Sequence, residues 1–442
     1  MLDAASTVDA SVDLSSSGAR AWTAPALLAP GSFPDVGLDA AGNAVLVWHS
    51  TNDAIHTQVY GATAPAGGTF GTPELLGTSD EQRSYSSIPF VAVNAAGVAA
   101  AGWQLIVGST MTLALRRYQP ATGWGAAVDA QTGLITPGPI SKGPGIALAD
   151  TGEAIALWTQ VDSGAHYNQW ATISDSDGTF ATATPIRQAN LPASGNLRAA
   201  ITRDGRMAIV VWNGSSTEYA AVWSKASGWT AALALDDAAN QGNGLVSPVV
   251  AISDAGEGIV AWQSVDPLKK HTVRLRTLDA GVWSAVVAVV DPSGKQTGAP
   301  SVFVDSTGTQ LTWSNVSANR TDGGSRGVWT QRRPHGSSWQ APARLDDPAS
   351  AGVYSIDARL VGDGAGGLLA MWNQDYNLWY SRYDAVAGWS TAALLPGSAA
   401  VPDDASANTW PYALAMDPLG RAVAVWSSPT ASVRNVTYSF FR

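Results

Sequence analysis

The chain has no cysteine among its 442 residues. Disulfide staples, thiolate nucleophiles and cysteine-ligated zinc or iron–sulfur sites are therefore excluded. Lysine is scarce, limited to Lys142, Lys225, Lys269, Lys270 and Lys295. With a net charge of -10 and no basic stripe, nucleic acid is not an expected partner. Glutamate stops at Glu74, Glu81, Glu153, Glu218 and Glu257, and histidine at His49, His56, His166, His271 and His335. The histidines share no HxH or HExxH spacing, and no GxSxG elbow occurs. No apolar run reaches the ~18 residues of a membrane span, so none is expected. The charged fraction of 14% is low against a usual ~25%.

Glycine (45 residues) and tryptophan (19) are abundant, and the apolar fraction is 45%. The apolar residues fall in short runs rich in Val, Ile and Trp between Gly-containing turns, so the class is all-β. Residues 1–19, "MLDAASTVDASVDLSSSGA", have neither the basic n-region nor the apolar h-region of a signal peptide. Their Ser/Ala/Asp composition reads as a flexible lead-in that follows a removed signal or anchor. The expectation is an exported, periplasmic or extracellular protein.

One stretch is rewritten along the chain: "GLDAAGNAVLVWHS" (37–50) returns as "AVNAAGVAAAGWQ", "ALADTGEAIALWTQ", "AISDAGEGIVAWQS", "LVGDGAGGLLAMWNQ" and "AMDPLGRAVAVWSS". Aligned on its tryptophan, the copies are Trp48, Trp103, Trp158, Trp212, Trp262, Trp313, Trp372 and Trp426, 50 to 59 residues apart. Eight copies at a period of roughly 50 indicate a propeller or solenoid. Strand–turn–strand patterning with no helical stretch favours four-stranded antiparallel blades. In each unit a strand A opens with proline in six copies (Pro34, Pro89, Pro144, Pro248, Pro300, Pro411), where no ladder donor is needed. A D-x-x-G turn follows, then strand B ending in the Trp. Strand C follows, and strand D starts at an aromatic: Trp22, Phe70, Trp124, Phe180, Trp229, Trp283, Trp339 or Trp389. The first of these aromatics precedes any strand B, and the last strand B is followed only by a strand C. A ring in which the N-terminal strand completes the last blade resolves both, and it pairs an edge otherwise exposed. The sequence thus predicts an eight-bladed β-propeller over 20–442. Its blades lie at about 31–78, 86–131, 142–188, 195–236, 246–291, 298–346, 354–396 and 409–442, the last closed by 20–28.

A tryptophan repeated in every blade is read as inter-blade packing, since eight identical sites are improbable. Trp410, outside this frame, is open between a ligand contact and a loop plug. Function is sought in loops, because the strands are committed to packing. The residue after the motif Trp is polar in every copy: His49, Gln104, Thr159, Asn213, Gln263, Ser314, Asn373 and Ser427. Such a ring satisfies backbone groups, binds water or reads hydroxyls, and the structural reading leads. Non-repeating candidates in the B-to-C and D-to-A loops are Arg83, Tyr85, His166, Tyr167, Lys269, Lys270, His271, Arg320, Asp322, Arg326, Asp375 and Tyr376. Aromatic, Asp, Asn and Arg together suit carbohydrate, while an acidic solvated loop face is the plain alternative. No catalytic residue is assigned. The pairs Asp236–Asp237 and Asp403–Asp404 and the "DSDG" at 175–178 are the places a Ca²⁺ would take, although turn and solvation roles suit them better. Otherwise no metal or cofactor is expected.

The D-x-x-G-x-A-x-x-x-W repeats resemble those of bacterial secreted β-propellers of the sialidase-like and lectin-like kind. The resemblance covers 20–442 and implies a glycan partner. The sialidase S-x-D-x-G-x-x-W box is not matched, "SIPF" (87–90) lacks the Arg of an F/Y-R-I-P stretch, and strand A offers only Arg198 and Arg359. Three functional readings follow. The first is an exported, non-catalytic propeller recognising a glycan or surface polymer. The second is a polysaccharide hydrolase or lyase using loop carboxylates, His and Tyr. The third is a protein–protein scaffold at the cell envelope.

Overall fold

The computed structural model describes residues 20–50, 56–79, 88–107, 110–131, 140–161, 167–191, 197–214, 217–236, 244–266, 268, 270–316, 327–346, 355–399, 401, 411–430 and 433–442. They form eight separate antiparallel sheets with no helix among them. Blade 1 pairs Ser32–Leu38, Ala44–Ser50, Thr57–Ala64 and Glu74–Ser79 in that order. The innermost strands of blades 2 to 8 are Phe90–Val93, Ile140–Leu148, Leu197–Ile201, Gly244–Ile252, Gln296–Asp305, Ser355–Gly362 and Tyr412–Met416. Each inner strand contacts the inner strands of both neighbouring blades, and that of blade 8 contacts that of blade 1, so the ring is closed.

Closure follows the pairing expected from the repeat count. Blade 8 takes Tyr412–Met416, Ala422–Thr430 and Val433–Phe441 from the C-terminus and Ala26–Pro30 from the N-terminus. A bridge between Trp22 and Phe441 extends this seam. The closing strand therefore runs to Pro30, two residues past the expected 28.

All eight motif tryptophans are at most 1% exposed. Each packs into a cluster shared with the preceding blade. Trp262 of blade 5 meets Ile209, Val211 and Leu235 of blade 4, and Trp48 of blade 1 meets Val425 and Phe440 of blade 8. A buried indole removes ~150–250 Å² from water and leaves one N–H to satisfy. Two of these N–H groups reach an Asp at the end of the preceding blade: Trp262 bonds Asp236 at 3.0 Å and Trp313 bonds Asp291 at 3.4 Å. Trp48 donates to the carbonyl of Pro30 at 3.3 Å. Gly31 makes that approach possible, since a Cβ there would lie 2.3 Å from the Trp48 ring.

The D-x-x-G turns work as hairpin caps. Asp39 accepts from Asn43 N at 2.7 Å, and Gly42, at φ 88°, closes the turn onto the Asp39 carbonyl. Asn94, Thr202, Ser253, Asp363 and Asp417 do the same in blades 2, 4, 5, 7 and 8.

Two local expectations are corrected. Proline opens the inner strand only in blades 2 and 8. In blades 1, 3, 5 and 6 the strand begins earlier, and Pro34, Pro144, Pro248 and Pro300 sit where the register slips. A bulge tolerates proline because the bulged residue is already unpaired. The outer strand is also broken. Trp124, Trp229, Trp283 and Trp389 lie on two-residue strands, and Phe180 makes only an isolated bridge.

Candidate functional site

The register places equivalent residues of the eight inner strands at common levels around the central channel. The level paired with the residue just before each motif Trp holds, from blade 1 to blade 8, Asp35, Phe90, Gly145, Arg198, Val249, Ser301, Arg359 and Ala413. The next level toward the A-to-B turns is Val36, Val91, Ile146, Ala199, Val250, Val302, Leu360 and Leu414, apolar throughout. One step further lie Gly37, Ala92, Ala147, Ala200, Ala251, Phe303, Val361 and Ala415, mostly small. Side chains alternate along a strand, so the first and third levels share a side and the apolar level takes the other. Only the first level mixes charge, aromatic and glycine.

Its members meet across the lumen. The Arg198 guanidinium of blade 4 lies over the Phe90 ring of blade 2, 5.5 Å from its centroid. These blades are not neighbours, so the contact passes in front of blade 3, whose residue at this level is Gly145. Asp35 of blade 1 feels the charges of Arg198 and of Arg359 in blade 7. All three charged side chains are enclosed by protein yet keep some accessible surface, as expected of groups facing a lumen. Asp35 Oδ2 accepts from Val91 N at 2.9 Å, capping the bare inner edge of blade 2. Ser301 Oγ does the same for Leu360 N of blade 7 at 3.1 Å. Burial raises the Asp35 pKa against the pull of the Val91 N–H and the two arginines. Burial, aided by Arg359 and opposed by Asp35, brings Arg198 down to about 10, so it stays charged at neutral pH. Gly145 at this level has no side chain because a Cβ would lie 2.7 Å from Leu157 and 3.2 Å from the Leu197 carbonyl.

The polar ring after the tryptophans is largely buried. Ser427 Oγ accepts from Phe33 N at 3.2 Å, and Gln263 Oε1 from Ala299 N at 3.0 Å. Phe33 and Ala299 have φ of 51° and 46° and precede the bulge prolines, so the ring residues tie down a strained entry to the next inner strand. His49, 2% exposed, bonds Ser32 Oγ through Nε2 at 2.9 Å and meets the Phe33 ring edge-on at 5.1 Å. Burial, aided by Arg434, lowers its pKa to about 4.

The remaining loop candidates divide. Tyr167 is half-buried at the start of its strand, opposite Val161 and Leu191. Lys270 is exposed, and its N–H is held by Asp266 at 2.8 Å. His271 Nδ1 lies 2.6 Å from Gln263 Nε2, and burial lowers its pKa. Asp375 and Tyr376 form a two-residue hairpin tip with φ of 50° and 61°, the geometry that favours Asn-Gly. Tyr376 is 58% exposed there. Arg83, Tyr85, His166, Lys269, Arg320, Asp322, Arg326 and Trp410 lie outside the described residues, as do Asp237, Asp403 and Asp404.

Asp175 and Asp177 both accept from Thr179 N, closing a C-to-D turn. No group of three or more His, Asp or Glu that would hold a metal occurs among the described residues. Glu218 is fully buried, with neither carboxylate oxygen partnered among the described residues. Burial and the charge of Asp236 raise its pKa well above the usual range. On the A-to-B face a cavity of about 350 Å³ is lined by Arg203, Asp254, Phe303 and Asp305, with His335 and Glu257 3.1 Å apart at its edge.

Asp35 and Phe90 were not singled out from sequence, although a signal exists. The level stands thirteen residues before the motif Trp in six blades, twelve before it in blade 6 and fourteen in blade 4. Read as a column, that offset gives D, F, G, R, V, S, R, A.

No family model matches the chain, and no curated protein matches it in sequence. Solved structures do match in fold. The Dos1 propeller superposes with a TM-score of 0.52 at 8% identity, over 96% of this chain and 94% of its own. An ulvan lyase, described as a new family of polysaccharide lyase, superposes with a TM-score of 0.51 at 11% identity, over 88% of this chain and 100% of its own. At such identities the likeness concerns the fold.

Proposed function

We propose that this chain is an exported propeller that binds a glycan or surface polymer without transforming it. The observation that carries the reading is the lumen level of Asp35, Phe90, Arg198 and Arg359, where the repeat gives way to an aromatic ring beside charged groups. A carbohydrate is recognised by an aromatic face together with charged and polar groups that fork onto its oxygens. The exposed Tyr376, fixed on a two-residue tip, adds a second aromatic face. The level's two guanidiniums and single carboxylate hold a ligand, whereas hydrolysis of a glycoside needs two carboxyl groups flanking the bond. A polysaccharide lyase shares the fold, which makes polysaccharide a natural first ligand class to screen.

The test is calorimetric binding of the full chain to neutral, carboxylated and sulfated polysaccharides, with product release measured in the same samples. Saturable binding without new reducing ends or unsaturated products supports the proposal. Product release turns the reading into an enzyme, and no binding across the panel removes it.

A further inference from the structure

We propose that blade 4 binds one calcium ion at Glu218, in the wedge that it shares with blade 5. The proposal goes beyond the glycan reading above and does not depend on it.

Opposite the polar ring, on strand C, stands a column of Val59, Leu113, Gln169, Glu218, Val273, Val328, Leu378 and Val436, from blade 1 to blade 8. All eight are at most 1% exposed. Each of the six apolar members shares a cluster with the motif tryptophan of the following blade. Glu218 puts a carboxyl group into this packing position. The tryptophan of the blade that follows it is Trp262, whose N–H bonds Asp236 at 3.0 Å. Leu235 N bonds the Glu218 carbonyl at 2.8 Å, which brings the neighbouring Asp236 alongside. The charge that acts on Glu218 is that of Asp236, of like sign. Arg274 of blade 5 lies 3.9 Å from Asp236 and gives its Nε–H to Ser264 Oγ.

A buried carboxyl group is costly without a partner. Neither oxygen of Glu218 has one among the described residues, and neither is open to water. Protonation alone leaves the O–H without an acceptor and the other oxygen without a donor. A bare cation meets both oxygens at once. Ca²⁺ sits about 2.3–2.6 Å from its oxygen ligands, closer than a hydrogen-bonded water, and accepts irregular geometry.

Further oxygens stand at the same corner. Asn213 is the direct cross-strand partner of Glu218, so the two side chains leave the sheet on one side. Asn213 Oδ1 has no partner among the described residues, and neither has Oγ1 of Thr217, which is 3% exposed. The Thr217 carbonyl accepts from Gly214 N at 2.8 Å and closes the hairpin that holds both residues. Asp236 adds a second negative charge, so the corner suits a divalent ion. Its ligands are oxygens, without the nitrogen or sulfur that zinc prefers. Mg²⁺ keeps several of its waters and fits poorly where water does not reach. Half-buried Asn213 marks the way in from the B-to-C face.

The experiment strips the full chain with EDTA and titrates it calorimetrically with CaCl₂ and MgCl₂, with the melting temperature followed in each. The wild type is compared with Glu218→Gln and Glu218→Leu. Leucine is what blades 2 and 7 carry at this position, so that variant keeps the test open if glutamine disturbs folding. The proposal expects one Ca²⁺ per chain and a rise of about 3 °C in melting temperature at a hundredfold excess over Kd. Both variants are expected to lose the rise and at least tenfold in Ca²⁺ affinity, and Mg²⁺ is expected to bind the wild type at least tenfold more weakly. No Ca²⁺ binding to the wild type makes Glu218 a neutral buried acid and overturns the proposal. Ca²⁺ binding unchanged in both variants places the ion elsewhere and overturns it too. Mg²⁺ binding as tightly as Ca²⁺ overturns the waterless site.

Discussion

Two levels of the ring differ by a single residue along strand B. The motif tryptophans occupy one, identical in all eight blades and at most 1% exposed. The residues just before them pair with Asp35, Phe90, Gly145, Arg198, Val249, Ser301, Arg359 and Ala413, no two alike except the arginines. The first level answers one mechanical demand eight times, filling the wedge between blades. The second faces a lumen that belongs to no blade in particular, so nothing forces its members to agree. In a repeat protein, sameness marks packing and difference marks a place free to bind.

The comparison breaks most easily at the seam. Removing residues 1–31 deletes the strand paired with Val433–Phe441 and bares the edge of blade 8. The expected outcome is loss of the cooperative melting transition and aggregation, checked by circular dichroism and light scattering. A truncated chain that melts as the full one does would show that closure is dispensable.

Next in size is the packing level itself. Trp262→Ala empties a fully buried site between blades 4 and 5 and strands Asp236 without its indole donor. A loss of roughly 3–5 kcal/mol is expected in denaturant titration.

His49 sits beside Trp48 and tests whether the polar ring belongs with the packing. Its pKa is about 4 in the folded chain against an ordinary 6.5. A depressed folded pKa means the unfolded chain binds the proton more readily. The contribution is therefore complete above about pH 6.5 and is lost as the pH falls toward 4, about 3 kcal/mol in all. Asp35 and Glu218, raised by burial, act in the opposite sense and favour the fold as the pH falls. The useful quantity is thus the difference between wild type and His49→Gln, whose melting temperatures should converge as the pH drops from 7 to 4. A constant difference would count against a buried neutral imidazole.

The smallest effect concerns the hairpin of blade 7. Asp375→Asn with Tyr376→Gly places Asn-Gly where φ is 50° and 61°. A gain of about 1 kcal/mol is expected from relieved backbone strain. Weaker polysaccharide binding in the same variant would show what the strain is kept for, and unchanged binding would place Tyr376 outside the contact.

The architecture was legible because the wedge between blades imposes one residue type at one interval. Eight tryptophans, eight hairpin turns and an orphan N-terminal strand fix the blade count and its closure. The local breaks were less legible. Pro34 and Pro300 read as strand starts because proline lacks an N–H, and nothing local shows that the strand resumes on the far side of a bulge. The lumen level was hidden for a different reason. Asp35 and Phe90 lie inside ordinary apolar strands, and their meeting with Arg198 depends on three blades from distant parts of the chain. Loop residues drew attention by their chemistry, and among the candidates His49 bonds Ser32 and meets the Phe33 ring.

The most direct measurement is an electron-density map from crystals of the full chain soaked in D-glucuronate. The account predicts the sugar in the channel, at the level of Asp35, Phe90, Arg198 and Arg359. A map with only water at that level, and the sugar bound elsewhere on the ring, would contradict it.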